Sequence, residues 1–259
     1  MPRVSDTDTE TPADTEPVTE TPTPERILVI VAHPDDVDFG CAGSVATWTD
    51  AGIAVTYCLV TSGDAGGTDR TQSFEHRASI REAEQRAAAA EVGVSDLIFL
   101  RHPDGQVMPT LELRHDLSRV IREVRPDRVV TQSSELNLDR IYASHPDHRA
   151  TAIAAIDAVY PDARNPFAHT DLLDAGLEPW AVPEVWVMAI SPTGGGTPAY
   201  VDITDAFDRK LAALRAHASQ MEGKVGYDEM LRTWSTAIAQ AGGLPEGRLA
   251  EAFRVVNTR

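Results

Sequence analysis

From Arg26 onward, short apolar runs alternate with longer stretches of helical pattern, and this alternation restricts the chain to parallel strands joined by crossover helices. Ile27–Ala32 is an unbroken apolar run suited to a strand buried on both faces. Ala42–Asp50 reads as a helix stopped by Gly52, and Ile53–Thr61 as the second strand. Ser73–Val92, rich in Ala, Arg and Glu and stopped at Gly93, is a helix leading to the strand Leu97–Leu100. Leu111–Val124 continues the pattern as a helix, Asp127–Thr131 as a strand, and an Ala-rich helix follows His148 to about Tyr160. Pro161–Pro183 holds four prolines and little periodicity, which marks it as a functional loop. Glu184–Ile190 reads as a further strand, with Trp186 and Met188 in the core. Ser191–Pro198 reads as a Gly-rich turn and Tyr200–Ile203 as a short strand, and helices over Asp205–Gln220 and Asp228–Ala241 close the chain. The expected fold is α/β, a Rossmann-like three-layer sandwich with a mostly parallel sheet, forming one domain over residues 25–259.

Residues 1–24 differ from this body: they alternate Thr, Pro and acids, with too little apolar surface to offset their ordering entropy, and are expected to form a disordered tail. Of the formal net charge of −17, residues 1–25 carry −6 and the rest −11. An acidic body repels phosphate backbones and anionic lipid, so no nucleic-acid or membrane partner is expected and a small molecule is. No apolar run approaches a membrane span and no secretory pattern opens the chain, so a cytoplasmic location is expected. Oligomeric state is left open. With only Cys41 and Cys58 present, any metal must be held by His and carboxylate.

Ligands of open α/β sheets bind at the carboxyl ends of the strands. The first strand runs straight into His33-Pro34-Asp35-Asp36, and adjacent carboxylates in a partly buried site call for a compensating cation. Zinc accepts imidazole and carboxylate, and a catalytic zinc keeps three protein ligands. His33 and one of the two acids give two; His145-Pro146-Asp147-His148, about 110 residues on, offers the third. Spacing does not choose between Asp35 and Asp36, and it leaves one His of the second cluster for a proton donor or oxyanion stabiliser. A His-Pro-Asp can also be a plain turn whose Asp caps a helix, and His102-Pro103-Asp104 is a third copy. Two clusters with complementary ligands at strand ends favour the metal.

Ala32–Asp36, His145–His148 and Val201–Gln220 together resemble the LmbE-like, or PIG-L, zinc-dependent de-N-acetylases, a resemblance covering about 26–222. It implies one Zn2+ per chain on His33, Asp36 and His148, with Asp35 as general base. His145 would stabilise the oxyanion or protonate the leaving amine, oriented by Asp147. Arg81 would bind substrate oxygens, the competing reading being a solvated helix Arg paired with Glu84 or Glu91. Asp104 would hold sugar hydroxyls, and Tyr142 would lie near the tetrahedral intermediate. At Asp64 the family more often has Glu, and its role stays open. The reaction implied is hydrolysis of an N-acetyl group on an amino sugar or its conjugate. The alternatives are an amidase of a thiol-sugar conjugate and, from another class, a non-catalytic Rossmann-like nucleotide-binding or regulatory protein. The first strand lacks the Gly-x-Gly-x-x-Gly turn that this last reading needs. Trp180 in the 161–183 loop offers a face for sugar stacking, while Asp38, His76, His115, His169 and His217 are expected at the surface or, for Asp38, as a cap.

Overall fold

In the computed structural model, which describes residues 23–138, 141–188 and 196–259, strand β1 (Arg26–Val31) is fully buried from Ile27 to Val31, and this places it in the middle of the sheet. The other strands are β2 (Ala54–Thr61), β3 (Asp96–His102), β4 (Arg128–Thr131), β5 (Glu184–Met188), β6 (Thr197–Asp202) and β7 (Ala250–Asn257). Their order is β3-β2-β1-β4-β5-β7-β6, with β1 to β5 parallel and β7 antiparallel to both of its neighbours. The chain leaves β1 toward β2 and β3, then returns to build β4 and β5 on the other side. The carboxyl ends of β1 and β4, paired as Ile30 with Thr131, therefore flank the topological switch point.

Helices cover both faces. Ile27, Val29 and Val31 pack with α2 (Ala42–Asp50), α3 (Phe74–Glu91) and α7 (Phe207–Ala216), whereas Leu28 and Ile30 pack with α4 (Leu111–Val124) and α5 (Pro146–Asp157). This strict alternation along β1 produces the three layers. The remaining helices are α1 (Asp36–Gly40), α6 (Thr170–Asp174), α8 (Ala218–Met221) and α9 (Tyr227–Ala241). Among the described residues, no helix is long and apolar enough to cross a membrane.

Five expectations are corrected. The chain ends in a strand, not in helices: β7 inserts between β5 and β6. Its Glu251 is buried because Lys210 lies 2.6 Å away and the backbone N–H and hydroxyl of Ser44 donate to it. The helix expected over Asp205–Gln220 breaks at His217 (φ −82°, ψ 58°), separating α7 from α8. That break carries the His217 ring inward to Asp38, with Nε2 and Oδ2 2.8 Å apart, so both residues are wholly buried instead of exposed. His115 and His169 stack edge to face and contact Asp171 and Asp162, so they too have partners. The 161–183 segment is pinned down by Arg122, whose guanidinium donates to the carbonyls of Ala163, Asn165 and Ala168. Trp180 donates its indole N–H to Pro126 O at 2.8 Å and lies beside Arg26 and Arg125, at the amino ends of β1 and β4. It cannot stack on a sugar held at the opposite ends of those strands. Residues 1–22 of the expected tail and 191–195 of the expected Ser191–Pro198 turn lie outside the described residues, and Thr197 and Pro198 already belong to β6.

Candidate active site

β1 delivers His33 to the end of the sheet, and the chain turns at once into α1 through Asp35, which has φ 90° and ψ −21°. A non-glycine residue there carries about 1–3 kcal/mol of backbone strain, the kind of cost that persists where surrounding contacts fix a functional geometry. On the neighbouring strand, β4 leads through residues 132–144 to His145, with Pro146 opening α5, where its missing N–H costs nothing. Gln132 ties the two strand ends together by accepting the Ala32 N–H at 3.0 Å.

The Asp36 carboxylate lies between two imidazoles, with Oδ2 3.3 Å from His33 Nδ1 and Oδ1 3.0 Å from His148 Nε2. Donor atoms about 2.0–2.1 Å from a tetrahedral zinc stand roughly 3.3 Å from one another, and these two contacts match that spacing between residue types that zinc accepts. The rings of His33, His145 and His148 form a near-equilateral triangle with centroids 5.1, 5.2 and 5.2 Å apart. The other nitrogen of His33, Nε2, faces Asp104 Oδ1 at 3.1 Å and Asp147 Oδ2 at 3.2 Å. A carboxylate on the far nitrogen fixes the tautomer and leaves Nδ1 as the donor toward a metal.

Burial alone would lower the His33 pKa, but the surrounding Asp104, Asp147 and Asp36 outweigh it and push the value up to about 12 in the metal-free chain. Burial would likewise raise Asp36, Asp104 and Asp147; contact with His148 and His33 for the first, and with His33 for the other two, holds all three below the usual carboxylate range. Asp35 behaves differently. Burial raises it to about 6, against the Arg81 cation that lowers it. His145 is held below the ordinary imidazole value by burial and by His33 and His148.

Asp147, expected to orient His145, instead puts its carboxylate on His33 and on the N–H groups of Gly105 and Val107. Its contact with His145 is through the backbone: the Asp147 N–H donates to His145 Nδ1 at 3.2 Å. Arg81 is not a solvated helix residue. It is 5% exposed, donates to Pro34 O at 2.5 Å and Gly63 O at 3.2 Å, and stands 3.3 Å from Asp35 Oδ2. Gly63 is required there, because a Cβ at this positive-φ position would fall 2.1 Å from the Arg81 guanidinium. Asp104 accepts from the Ala65 N–H, and its own N–H donates to Asp64 Oδ1, which gives Asp64 a place in the strand-end turn. Tyr142 falls in a short 3-10 segment, Ile141–Ser144, and its side chain lies outside the described residues. Sequence reasoning missed Gln85, whose Oε1 accepts the Asp35 N–H at 2.9 Å; its position four residues after Arg81, on the same face of α3, was the available signal.

Over most of its length the chain is similar to proteins named as deacetylases. The protein is 34% identical over 235 residues to the diacetylchitobiose deacetylase of Thermococcus kodakarensis, covering 90% of this chain and 83% of that one. It is 31% identical over 209 residues to a probable N-acetyl-alpha-D-glucosaminyl L-malate deacetylase 2 of Bacillus cereus, covering 76% of this chain and 84% of that one. The solved structure of the N,N'-diacetylchitobiose deacetylase of Pyrococcus horikoshii superposes with a TM-score of 0.79 at 31% identity, covering 90% of this chain and 84% of that one. Nothing in these likenesses supports a nucleotide-binding or regulatory protein. Residues 28–159, the stretch that contains all of the donor atoms around His33, match the family model described as PIG-L, GlcNAc-PI de-N-acetylase, and the chain belongs to that family.

Proposed function

We infer that the protein is a metal-dependent N-deacetylase that hydrolyses the acetamide of an N-acetylglucosamine unit in a small sugar or sugar conjugate. The observation that carries this reading is the Asp36 carboxylate set between His33 Nδ1 and His148 Nε2, at the switch point of a de-N-acetylase fold. These three residues would hold the ion, and zinc suits them. When bound, the metal supplies Lewis-acid polarisation of the amide carbonyl and lowers the pKa of nearby water toward neutrality.

The remaining steps belong to the chain. Asp35 is the base: it adjoins the donor set, it is not itself among the donors, and its raised pKa suits proton transfer near neutral pH. His145 is an oxyanion donor. Because Nδ1 accepts the Asp147 backbone N–H, the ring proton of the neutral imidazole sits on Nε2, and the lowered pKa keeps the ring neutral. Asp35 then returns the proton it took from water to the departing nitrogen, so acetate and a free amine leave. Asp104 holds a sugar hydroxyl. Arg81 acts on Asp35 and Gly63, and the substrate oxygens fall to other groups.

The test is amine release from N,N'-diacetylchitobiose and N-acetylglucosamine by the purified protein, before and after chelation and zinc add-back. Release that is lost on chelation and restored by zinc is expected. No release from any N-acetylated sugar, or full release from metal-free protein, contradicts the reading.

A further inference from the structure

Behind the strained Asp35 lies a chain of buried polar side chains. Gln85 on α3 accepts the Asp35 N–H through Oε1 at 2.9 Å, and its Nε2 donates to Asp38 Oδ2 at 3.0 Å. The same Asp38 oxygen lies 2.8 Å from His217 Nε2. Gln85, Asp38 and His217 are all wholly buried, and they come from α3, from α1 and from the break between α7 and α8.

The backbone donor at Asp35 fixes how Gln85 is oriented. A backbone N–H can only donate, so the Gln85 carbonyl must face Asp35 and its amide nitrogen must face Asp38. Asp38 Oδ2 then accepts from Gln85, and as a carboxylate it accepts the Nε2–H of His217 as well. Each group fixes the orientation of the next, and the last link holds a residue at positive φ. One turn earlier on α3, Arg81 holds the Pro34 carbonyl and the Asp35 carboxylate, so α3 grips this segment at two points.

We propose that Gln85, locked in orientation by the buried Asp38–His217 pair, is a positioning residue that keeps Asp35 in the backbone conformation its role as base requires. This rests on the deacetylase reading and on Asp35 being the base. A network that only stabilised the fold would not need to end on that backbone N–H.

The experiment is a double-mutant cycle on the zinc-loaded protein, reading kcat, KM, zinc per chain and melting temperature for Gln85→Leu, Asp35→Asn and both together. Gln85→Leu should lower kcat by about tenfold or more, as expected for a misplaced reacting group, with KM within about twofold and zinc content unchanged. The two losses should not multiply, since Gln85 acts through the Asp35 carboxylate. Losses that multiply, or an unchanged kcat in Gln85→Leu, overturn the proposal. Full activity in Asp35→Asn overturns the base assignment instead, so the two failures are distinguishable. Should Gln85→Leu fail to fold, an exchange decides the matter. Gln85→Glu sets two carboxylates together and should be slow, while Gln85→Glu with Asp38→Asn restores a donor facing an acceptor and should recover kcat to within about threefold on the pH plateau. No recovery in the exchanged protein overturns the proposal.

Discussion

Asp35 and Asp36 are neighbours in sequence and opposites in environment. Asp36 faces two imidazoles and is held ionised, whereas Asp35 is buried near another carboxylate with Arg81 as its main counter-charge. A base works only when ionised, so kcat/KM should fall as the pH drops through the Asp35 value. That value is about 6 in the metal-free chain and lower with a cation beside it. A pH–rate profile of the zinc enzyme should therefore show an acid limb at or below about 6 that disappears in Asp35→Asn. At Asp147, the contact with His33 Nε2 makes a specific demand. Asp147→Asn should weaken zinc binding by about 10- to 100-fold, read by competition with a chromophoric chelator, because the far side of a ligating imidazole loses its carboxylate. Unchanged affinity would place the orienting role on Asp104 alone. The sequence shows His33, the Asp35–Asp36 pair, His145 and His148 because chemistry-bearing residues cluster within four positions at a strand end, while the choice of Asp36 over Asp35 as ligand comes from the family resemblance. It does not show Gln85, Asp38 and His217, whose contacts join residues 47 and 179 positions apart.

Among the elements, α4 was legible to the residue: Thr110 accepts the Leu113 N–H as a cap, and Leu113, Leu117, Val120 and Ile121 form one apolar stripe. β7 was not legible. Its burial depends on Glu251, a residue type that reads as solvent-facing until Lys210 on α7 is placed 2.6 Å from it. Both side chains are almost wholly buried, so breaking the pair strands a charge. Lys210→Met should cost about 3–5 kcal/mol in urea unfolding, and adding Glu251→Leu should return much of that loss. A loss below about 1 kcal/mol in Lys210→Met would mean that Ser44 and the α2 amino end suffice for Glu251.

At the scale of the whole molecule, the sheet separates its two ends by task. The carboxyl ends of β1, β3 and β4 carry the polar site, while the amino ends are closed by the 161–183 segment under Trp180. Sequence reasoning put that segment beside the substrate because its length and prolines resemble a functional loop; what it lacked was the buried Arg122 that fastens the segment to α4. Trp180→Phe should therefore lower stability by about 1 kcal/mol through the lost hydrogen bond and leave KM for an N-acetylated sugar within about twofold. A large rise in KM would return the segment to the substrate side. The central claim is that two adjacent acids at one strand end divide the work, Asp36 holding the metal and Asp35 moving the proton. The most direct measurement is zinc per chain together with turnover on N,N'-diacetylchitobiose for Asp35→Asn and Asp36→Asn, purified side by side. The expected result is full zinc with turnover reduced by about 10²–10⁴ in Asp35→Asn, and loss of zinc in Asp36→Asn. Zinc lost from Asp35→Asn and retained by Asp36→Asn would contradict it.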